Sequence, residues 1–171
     1  MSKKDEGLSN FEKKVLDCHK NLKEDIIKNS SKEYALVLFK HLLQVAWEQK
    51  EDVKIVSGKL EKDFYNKLVE DVTPLLDSAK IQVSVIVLEK VNLEGNNFAN
   101  AVRGKGDFRM NETEEKFKIP HFILVGSKRF RIETDHDTAR ADASFNDDVL
   151  GEALLSYYNM ADRAIPALAL A

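Results

Sequence analysis

The sequence is poor in the residues that cross-link or interrupt small proteins. It has one cysteine, Cys18, three prolines and seven glycines among 171 residues. A single cysteine excludes an internal disulfide framework and is typical of a reducing compartment. Apolar runs stay well short of the roughly 20 residues that a membrane-spanning helix needs. We therefore expect a cytoplasmic protein, with neither a signal peptide at its charged start nor a membrane span.

The chain also lacks a strong excess of charge of either sign. It carries 26 basic and 29 acidic side chains, giving a formal net charge of -3 and a pI of about 5.9. This balance provides no global attraction to nucleic acid, although it leaves room for a local basic patch. Hydrophobic residues make up 43% of the chain and charged residues 32%, as in ordinary globular domains. The length suits one domain with a substantial core.

The spacing of apolar residues changes along the chain between helical and extended periods. Ser30 or Ser31 is the expected cap of the second helix, and Asn146 or Asp147 that of the last. The strand with the clearest pattern is IQVSVIVLE, whose near-continuous apolar character is typical of burial on both faces. Helices are predicted over residues 8–28, 31–50, 60–78, 98–102 and 148–163, and strands over 53–58, 81–89, 107–110, 121–126, 128–134 and 143–145.

The order of these elements predicts an α/β fold. Strands that alternate with helices in the first half imply parallel pairing through right-handed crossovers. A tight turn at Gly126 and Ser127 joins two later strands as an antiparallel hairpin. We therefore expect a mixed, mostly parallel central sheet flanked by helices. Residues 1–30 are predicted to form an N-terminal helical extension, and residues 31–171 the α/β domain.

The most informative segment contains a histidine and a Ser-x-Asn element. His121 opens an apolar strand, a hairpin partner follows, and Ser144 and Asn146 precede the last helix. With the preceding elements, this order resembles one half of the phospholipase D-like superfamily over roughly residues 34 to 163. The motif of that superfamily is H-x-K-x4-D followed by a GS-x-N turn. The resemblance implies a histidine that attacks phosphorus, a lysine that neutralises phosphate oxygens and an acid that orients the imidazole.

The chain departs from this motif where the motif carries charge. His121 occupies the position of the nucleophile, but Ile123 replaces the lysine and Lys128 replaces the acid. Phosphoryl transfer depends mainly on positioning and on stabilising charge on the phosphate oxygens. We therefore predict a degenerate domain, a pseudoenzyme without the catalysis of the superfamily. His121 then becomes a candidate catalytic residue whose simpler interpretation is a structural histidine at a sheet end.

A group of basic and polar residues surrounds this segment and forms the candidate ligand-binding set. Arg129 and Arg131 alternate with one residue between them, so a strand directs both side chains to one face. There they would hold a phosphate or carboxylate through bidentate hydrogen bonds. The alternative that we favour pairs Arg131 with Glu133 or with a buried acid. The ligand- or phosphate-binding candidates are Lys128, Arg129, Arg131, Ser144 and Asn146.

The sequence predicts neither a metal nor an organic cofactor. Asp135, His136 and Asp137 are potential ligands, but three consecutive residues cannot easily face one ion. The chain has no Cys-x-x-Cys pair and no glycine-rich phosphate loop. The Asp135–Asp137 run is therefore interpreted as a polar turn.

Three functions remain open from the sequence. The first is a non-catalytic binding or assembly subunit, serving as a regulatory or sensor component of a bacterial multi-protein system such as a defence or toxin-linked module. The second is a nuclease or phosphodiesterase in which His121 acts with Lys128, Arg131 or His136. The third, ranked lower because of the negative net charge, is nucleic-acid binding through the Arg129/Arg131 face.

The expected partner is a second copy of the chain or a larger protein. Single-motif members of the resembled superfamily pair with two half-sites facing each other, which implies a homodimer here. Helix 31–50 is apolar around most of its circumference, and the tail IPALALA has no charged side chain. We therefore expect the helix or the tail to contribute to a subunit contact, and we expect no membrane association.

Overall fold

The computed structural model describes residues 3–135 and 139–166, which form a seven-stranded sheet covered by helices on both faces. The helices are α1 (Lys3–Asn21), α2 (Lys32–Gln49), α3 (Lys62–Tyr65), α4 (Val69–Leu76), α5 (Asn97–Lys105) and α6 (Asp148–Ala164), with a 3-10 turn at Asn66–Leu68. The strands are β1 (Ile27–Asn29), β2 (Val53–Ser57), β3 (Val83–Val87), β4 (Asp107–Met110), β5 (Phe122–Val125), β6 (Arg129–Asp135) and β7 (Arg140–Ser144).

The strands lie in the order β1-β7-β6-β5-β2-β3-β4. The predicted α/β class with a mixed central sheet is confirmed, but the sheet is not mostly parallel. Among the described strands, only the β2–β3 and β3–β4 pairs are parallel, and the other four pairs are antiparallel. Parallel neighbours need a crossover connection. Helices join β2 to β3 and β3 to β4, and these are the two pairs of neighbouring strands that run parallel. The β5–β6 hairpin adds to β2 in the opposite direction, and β7 and β1 continue that pattern.

The first 30 residues contribute a strand to the sheet as well as a helix. The predicted helix over residues 8–28 ends at Asn21, and Leu22 has a left-handed φ of 46°. Ile27 then pairs with Ala143 of β7 and is fully buried. Pairing with β7 therefore prevails over the helical spacing of the apolar residues, as tertiary context often does.

The sheet separates two apolar layers. Val83–Val87 is buried at every position, as the apolar run of this segment predicts. One layer packs the sheet against α1, α2, α4 and α5, and the smaller one packs it against α6. The side chain of Ser31 caps α2 and that of Asp147 caps α6, each accepting a hydrogen bond from a backbone N–H three residues on. Within the described residues, no helix is both long and apolar enough to cross a membrane.

A histidine pair joins α1 to α2. His19 Nδ1 lies 2.8 Å from His41 Nδ1, and His19 Nε2 lies 2.8 Å from Oε2 of Glu48. Burial and the neighbouring His19 lower the pKa of His41, and the hydrogen bond with His19 lowers the pKa of Glu48. Two nitrogens this close share one proton, so the contact is incompatible with protonation of both rings. Docking of α1 on α2 therefore favours a neutral His41.

We expect the free energy of unfolding to fall as the pH drops below 6.5, the ordinary pKa of His41. The folded protein binds this proton more weakly than the unfolded chain, so the stability present above that pH is lost as the pH falls through the folded-state pKa. Glu48 adds a loss of the same sign below its ordinary value of 4.5. Urea denaturation across a pH series should show a smaller loss in His41→Leu than in the wild type. Equal losses in both proteins would contradict this role.

Candidate functional site

A cleft of about 300 Å³ opens at the end of β2, between α2 and the β5–β6 hairpin. This volume is at the lower limit of ordinary small-molecule sites. His121 reaches the cleft from the residue before β5, on the same side of the sheet as α2. The residues that define its walls are Phe39, Phe64, Tyr65, His121, Arg131 and Glu133.

Glu133 is the acid that contacts His121. Its Oε2 lies 3.2 Å from His121 Nδ1, and its backbone N–H donates to the His121 carbonyl over 2.9 Å. The two residues are therefore opposite each other on neighbouring strands and share a face of the sheet. The motif spacing predicted no acid beside His121, because the acidic position of that motif falls on Lys128. In the structure, an acid on the adjacent strand holds the imidazole.

Arg131 is the buried cation of the cleft. It lies directly opposite Ile123 of β5. Its guanidinium donates to the side-chain oxygen of Asn29 over 3.2 Å and to the carbonyl of Ala139 over 3.3 Å. The predicted ion pair with Glu133 is confirmed at 3.5 Å. Burial lowers the pKa of Arg131, and Glu133 opposes that effect.

Gly58 allows His121 to take this position. A Cβ atom at residue 58 would lie 2.7 Å from Cε1 and 2.9 Å from Nε2 of His121. Ordinary carbon atoms do not approach this closely, so any other residue would displace the imidazole. The glycine that ends β2 is therefore part of the site, a role that its place in the sequence did not reveal.

Aromatic side chains form the apolar wall of the cleft. Phe39, Phe64 and Tyr65 contact one another edge to face, with ring centroids 5.2 to 5.8 Å apart. Burial raises the pKa of Tyr65 to about 12, despite an opposing hydrogen bond with Ser57. Tyr65 is therefore neutral at physiological pH and does not supply a base. This wall suits an apolar or aromatic group.

Two lysines stand at the rim of the cleft. Lys32 lies 2.7 Å from Glu61, and Lys59 lies 3.9 Å from Glu89. Both lysine side chains are more than half exposed, so these ion pairs are worth little and can be exchanged for a ligand. The rim can therefore attract an anion, whereas the buried Arg131 is committed to groups of the protein.

The other predicted basic residues lie at the opposite end of the hairpin from His121. Lys128 belongs to the β5–β6 turn, and Arg129 pairs with Val125. Arg129 forms an ion pair with Glu51 over 2.5 Å and is 3% exposed, as is Arg131. The two arginines share a face of β6, but each has a different set of partners. Neither presents a basic surface to solvent.

Ser144 and Asn146 also lie away from His121. Ser144 of β7 pairs with Phe130 of β6, and Phe130 in turn pairs with Leu124 of β5. Ser144 is therefore level with Leu124, three residues along the chain from His121. Its buried hydroxyl donates to the carbonyl of Glu24 and accepts from the backbone N–H of Asn146. The Ser-x-Asn element therefore closes the turn that leads to α6. Of the six candidate residues, the structure brings only His121 and Arg131 into one cleft.

No group of three or more histidine, cysteine, aspartate or glutamate side chains is placed to bind a metal within residues 3–135 and 139–166. His136 and Asp137, two of the three potential ligands that the sequence analysis considered, lie outside the described residues. The chemistry of the cleft depends on His121, Glu133, Arg131 and the two lysines at the rim.

The fold has counterparts among solved structures, although no family model and no curated protein sequence matches the chain. Nuc from Salmonella typhimurium, a phospholipase D family member, is 16% identical with a TM-score of 0.60, and the match covers 85% of this chain and 99% of Nuc. TrmBL2, an archaeal chromatin protein with a novel mode of DNA binding, is 8% identical with a TM-score of 0.51, and the match covers 96% of this chain and 65% of TrmBL2. At these identities the matches establish the fold alone. The chain has a phospholipase D-like α/β fold.

Proposed function

We propose that the protein is a non-catalytic, phospholipase D-like binding and assembly subunit that holds a small anionic ligand in the His121 cleft. The proposal includes pairing with a second copy or with a larger partner. It also includes a regulatory or sensor role in a bacterial multi-protein system, such as a defence or toxin-linked one. The observation that carries the proposal is the position of Arg131, which lies opposite Ile123 but bonds to the protein itself.

The non-catalytic assignment follows from the hydrogen bonds that Arg131 already makes within the protein. A phosphoryl-transfer site needs a cation that is already aimed at the phosphate oxygens on which negative charge develops. Arg131 has its hydrogen bonds with Asn29, Glu133 and Ala139. Redirecting it would leave Glu133 without its buried cation, which is energetically costly. The buried cation of the cleft therefore stabilises the fold.

Ligand binding is supported by the shape and lining of the cleft. Its aromatic wall offers apolar surface, and Lys32 and Lys59 at the rim offer exchangeable positive charge. A ligand that joins an aromatic body to one negative charge matches both features. Phosphodiesters of aromatic alcohols have this composition, and one of them serves as a probe for binding and for cleavage.

We expect bis(4-nitrophenyl) phosphate to bind without being cleaved. Calorimetric titration should detect binding to the wild type and a weaker affinity for Lys59→Ala, because that variant lacks a rim cation. Release of 4-nitrophenolate, measured in the presence of EDTA, should be the same for the wild type and His121→Ala. Cleavage by the wild type that disappears in His121→Ala would overturn the non-catalytic assignment. Absence of binding would overturn the ligand assignment.

A second function, a rearranged phosphodiesterase, is favoured by the contact between His121 and Glu133. An acid that engages Nδ1 fixes the tautomer and orientation of an imidazole whose Nε2 attacks phosphorus. Glu133→Gln separates the two functions. In an enzyme this substitution would lower the rate of 4-nitrophenolate release. In a binding subunit the wild type and the variant would both release none. The nucleic-acid alternative loses its basis in Arg129 and Arg131, because both are buried.

A further inference from the structure

The outer face of α6 carries an exposed apolar stripe. Val149 is 84% exposed, Met160 59% and Tyr157 40%, and these are half of the large apolar side chains that are exposed among the described residues. The exposed Ala153 and Ala164 continue the same line. Spacings of three and four place these residues on one face of the helix, over about 22 Å. The stripe is therefore a regular apolar surface that the described part of the chain leaves uncovered.

Most of helix α2, for which a subunit contact is predicted, is covered within the chain, although Trp47 near its C-terminal end is 44% exposed. Its buried residues pack against α1 and the sheet within the same chain, and they are Ala35, Leu38, Phe39, Leu42, Leu43, Val45 and Ala46. Intramolecular packing therefore accounts for its apolar circumference. Three exposed large apolar side chains share one face of α6, on the opposite side of the sheet from α2.

We propose that α6 forms an antiparallel, two-fold contact with α6 of a second copy of this chain. A two-fold axis requires that a surface be complementary to itself. The midpoint of the stripe lies between Ser156 and Tyr157, and residues at equal distances from it differ in size. Val149 would lie against the partner's Ala164, and Ala153 against the partner's Met160. Large residues thus meet small ones at each level, which permits close packing of the two helices.

The charges beside the stripe fit the same axis. Glu152 and Arg163 are exposed on one edge of the stripe, near opposite ends of the helix. Neither side chain forms an ion pair within residues 3–135 and 139–166. An antiparallel two-fold contact places Glu152 of each copy near the partner's Arg163, so the pair forms twice. A parallel arrangement would place like charges together, which is unfavourable.

The proposed dimer separates the two clefts. The cleft lies on the α2 side of the sheet and α6 lies on the other side, so each His121 faces away from the partner. This differs from the facing half-sites that the family resemblance implies. The inference rests on the assembly part of the proposed function and does not depend on what the cleft binds. Each copy would present its own binding site.

Disulfide cross-linking tests the α6 contact. Ser156 lies next to the proposed axis and is exposed, so two copies of Ser156→Cys should form an intermolecular disulfide under mild oxidation. Lys59→Cys at the cleft rim is the matched control and should stay monomeric on a non-reducing gel. The native Cys18 is 2% exposed and does not compete. A Ser156→Cys protein that fails to cross-link, or cross-linking through Lys59→Cys instead, would overturn the proposal.

Charge reversal tests the register. In the Ser156→Cys background, Glu152→Arg and Arg163→Glu should each reduce the yield of cross-linked dimer, because each places like charges together. The double variant should restore the yield. An unchanged yield in both single variants would overturn the antiparallel register. These outcomes concern α6 alone, whereas a failure of ligand binding at the cleft would remove the proposed function and leave the dimer in place.

Discussion

Replacement of Gly151 by alanine is expected to destabilise the fold by about 2 kcal/mol or more, an effect of backbone overlap that exceeds the gain in helix propensity. The first turn of α6 passes directly over the β5–β6 turn. A Cβ atom at residue 151 would overlap the carbonyl oxygen of Ser127 and would lie 2.7 Å from Cα of Lys128. Both neighbours are backbone, so relief requires α6 or the hairpin to move. Chemical denaturation of the two proteins measures the difference.

Gly104 provides the matched control. It also lies in a helix, α5, but a Cβ atom there would meet nothing within 4 Å. Neither glycine has a left-handed φ. Gly104→Ala should therefore stabilise the protein by about 0.5–1 kcal/mol through helix propensity alone. If the two substitutions change the free energy of unfolding in the same direction, the close approach of α6 to the hairpin is not a determinant of stability.

Local sequence patterns predicted the interior of the fold well. Val83–Val87 is apolar throughout and is buried throughout, because a strand with neighbours and helices on both sides has no solvent face. Ser31 and Asp147 were recognisable as caps because their side chains bond to nearby backbone. Such features depend on contacts a few residues apart. They can therefore be inferred without knowing the topology.

The features that local patterns missed depend on distant partners. Residues 27–29 form a strand only because β7 offers an edge, and Ile27 meets Ala143 more than a hundred residues along the chain. The same holds for the proportion of antiparallel pairing. The sequence shows where β5 and β6 are, but not that β5 joins β2 in the opposite direction. Neither choice leaves a periodic signal.

The contact between Glu133 and His121 depends on a hairpin register that differs by one residue from the register that a two-residue turn would give. A two-residue turn at Gly126 and Ser127 would pair Val125 with Lys128 and would place Ile132 opposite His121. In the structure Val125 pairs with Arg129, so the turn has three residues and Glu133 meets His121. A shift of one residue exchanges the faces of a strand. The length of the turn therefore decides whether the imidazole has an acidic partner.

The buried cation of the cleft and the acid that contacts His121 are both on β6, the strand next to that of the histidine. Arg131 lies opposite Ile123, and Glu133 lies opposite His121. The cleft thus holds a histidine, a cation and an acid in contact, although the linear motif is absent. Whether Arg131 serves the fold or a ligand can be decided from stability, because the two roles predict different costs for its removal.

Arg131→Met is expected to lower the free energy of unfolding by about 3–5 kcal/mol, the usual cost of removing one partner of a buried ion pair. Glu133 would lose its contact with the guanidinium, and the Asn29 side chain and the Ala139 carbonyl would lose a donor. Arg131→Met with Glu133→Gln removes both charges and should recover a large part of the loss, which a double-mutant cycle by urea denaturation measures. If Arg131→Met leaves stability unchanged and weakens binding of bis(4-nitrophenyl) phosphate, Arg131 serves the ligand. The non-catalytic assignment would then lose its main support.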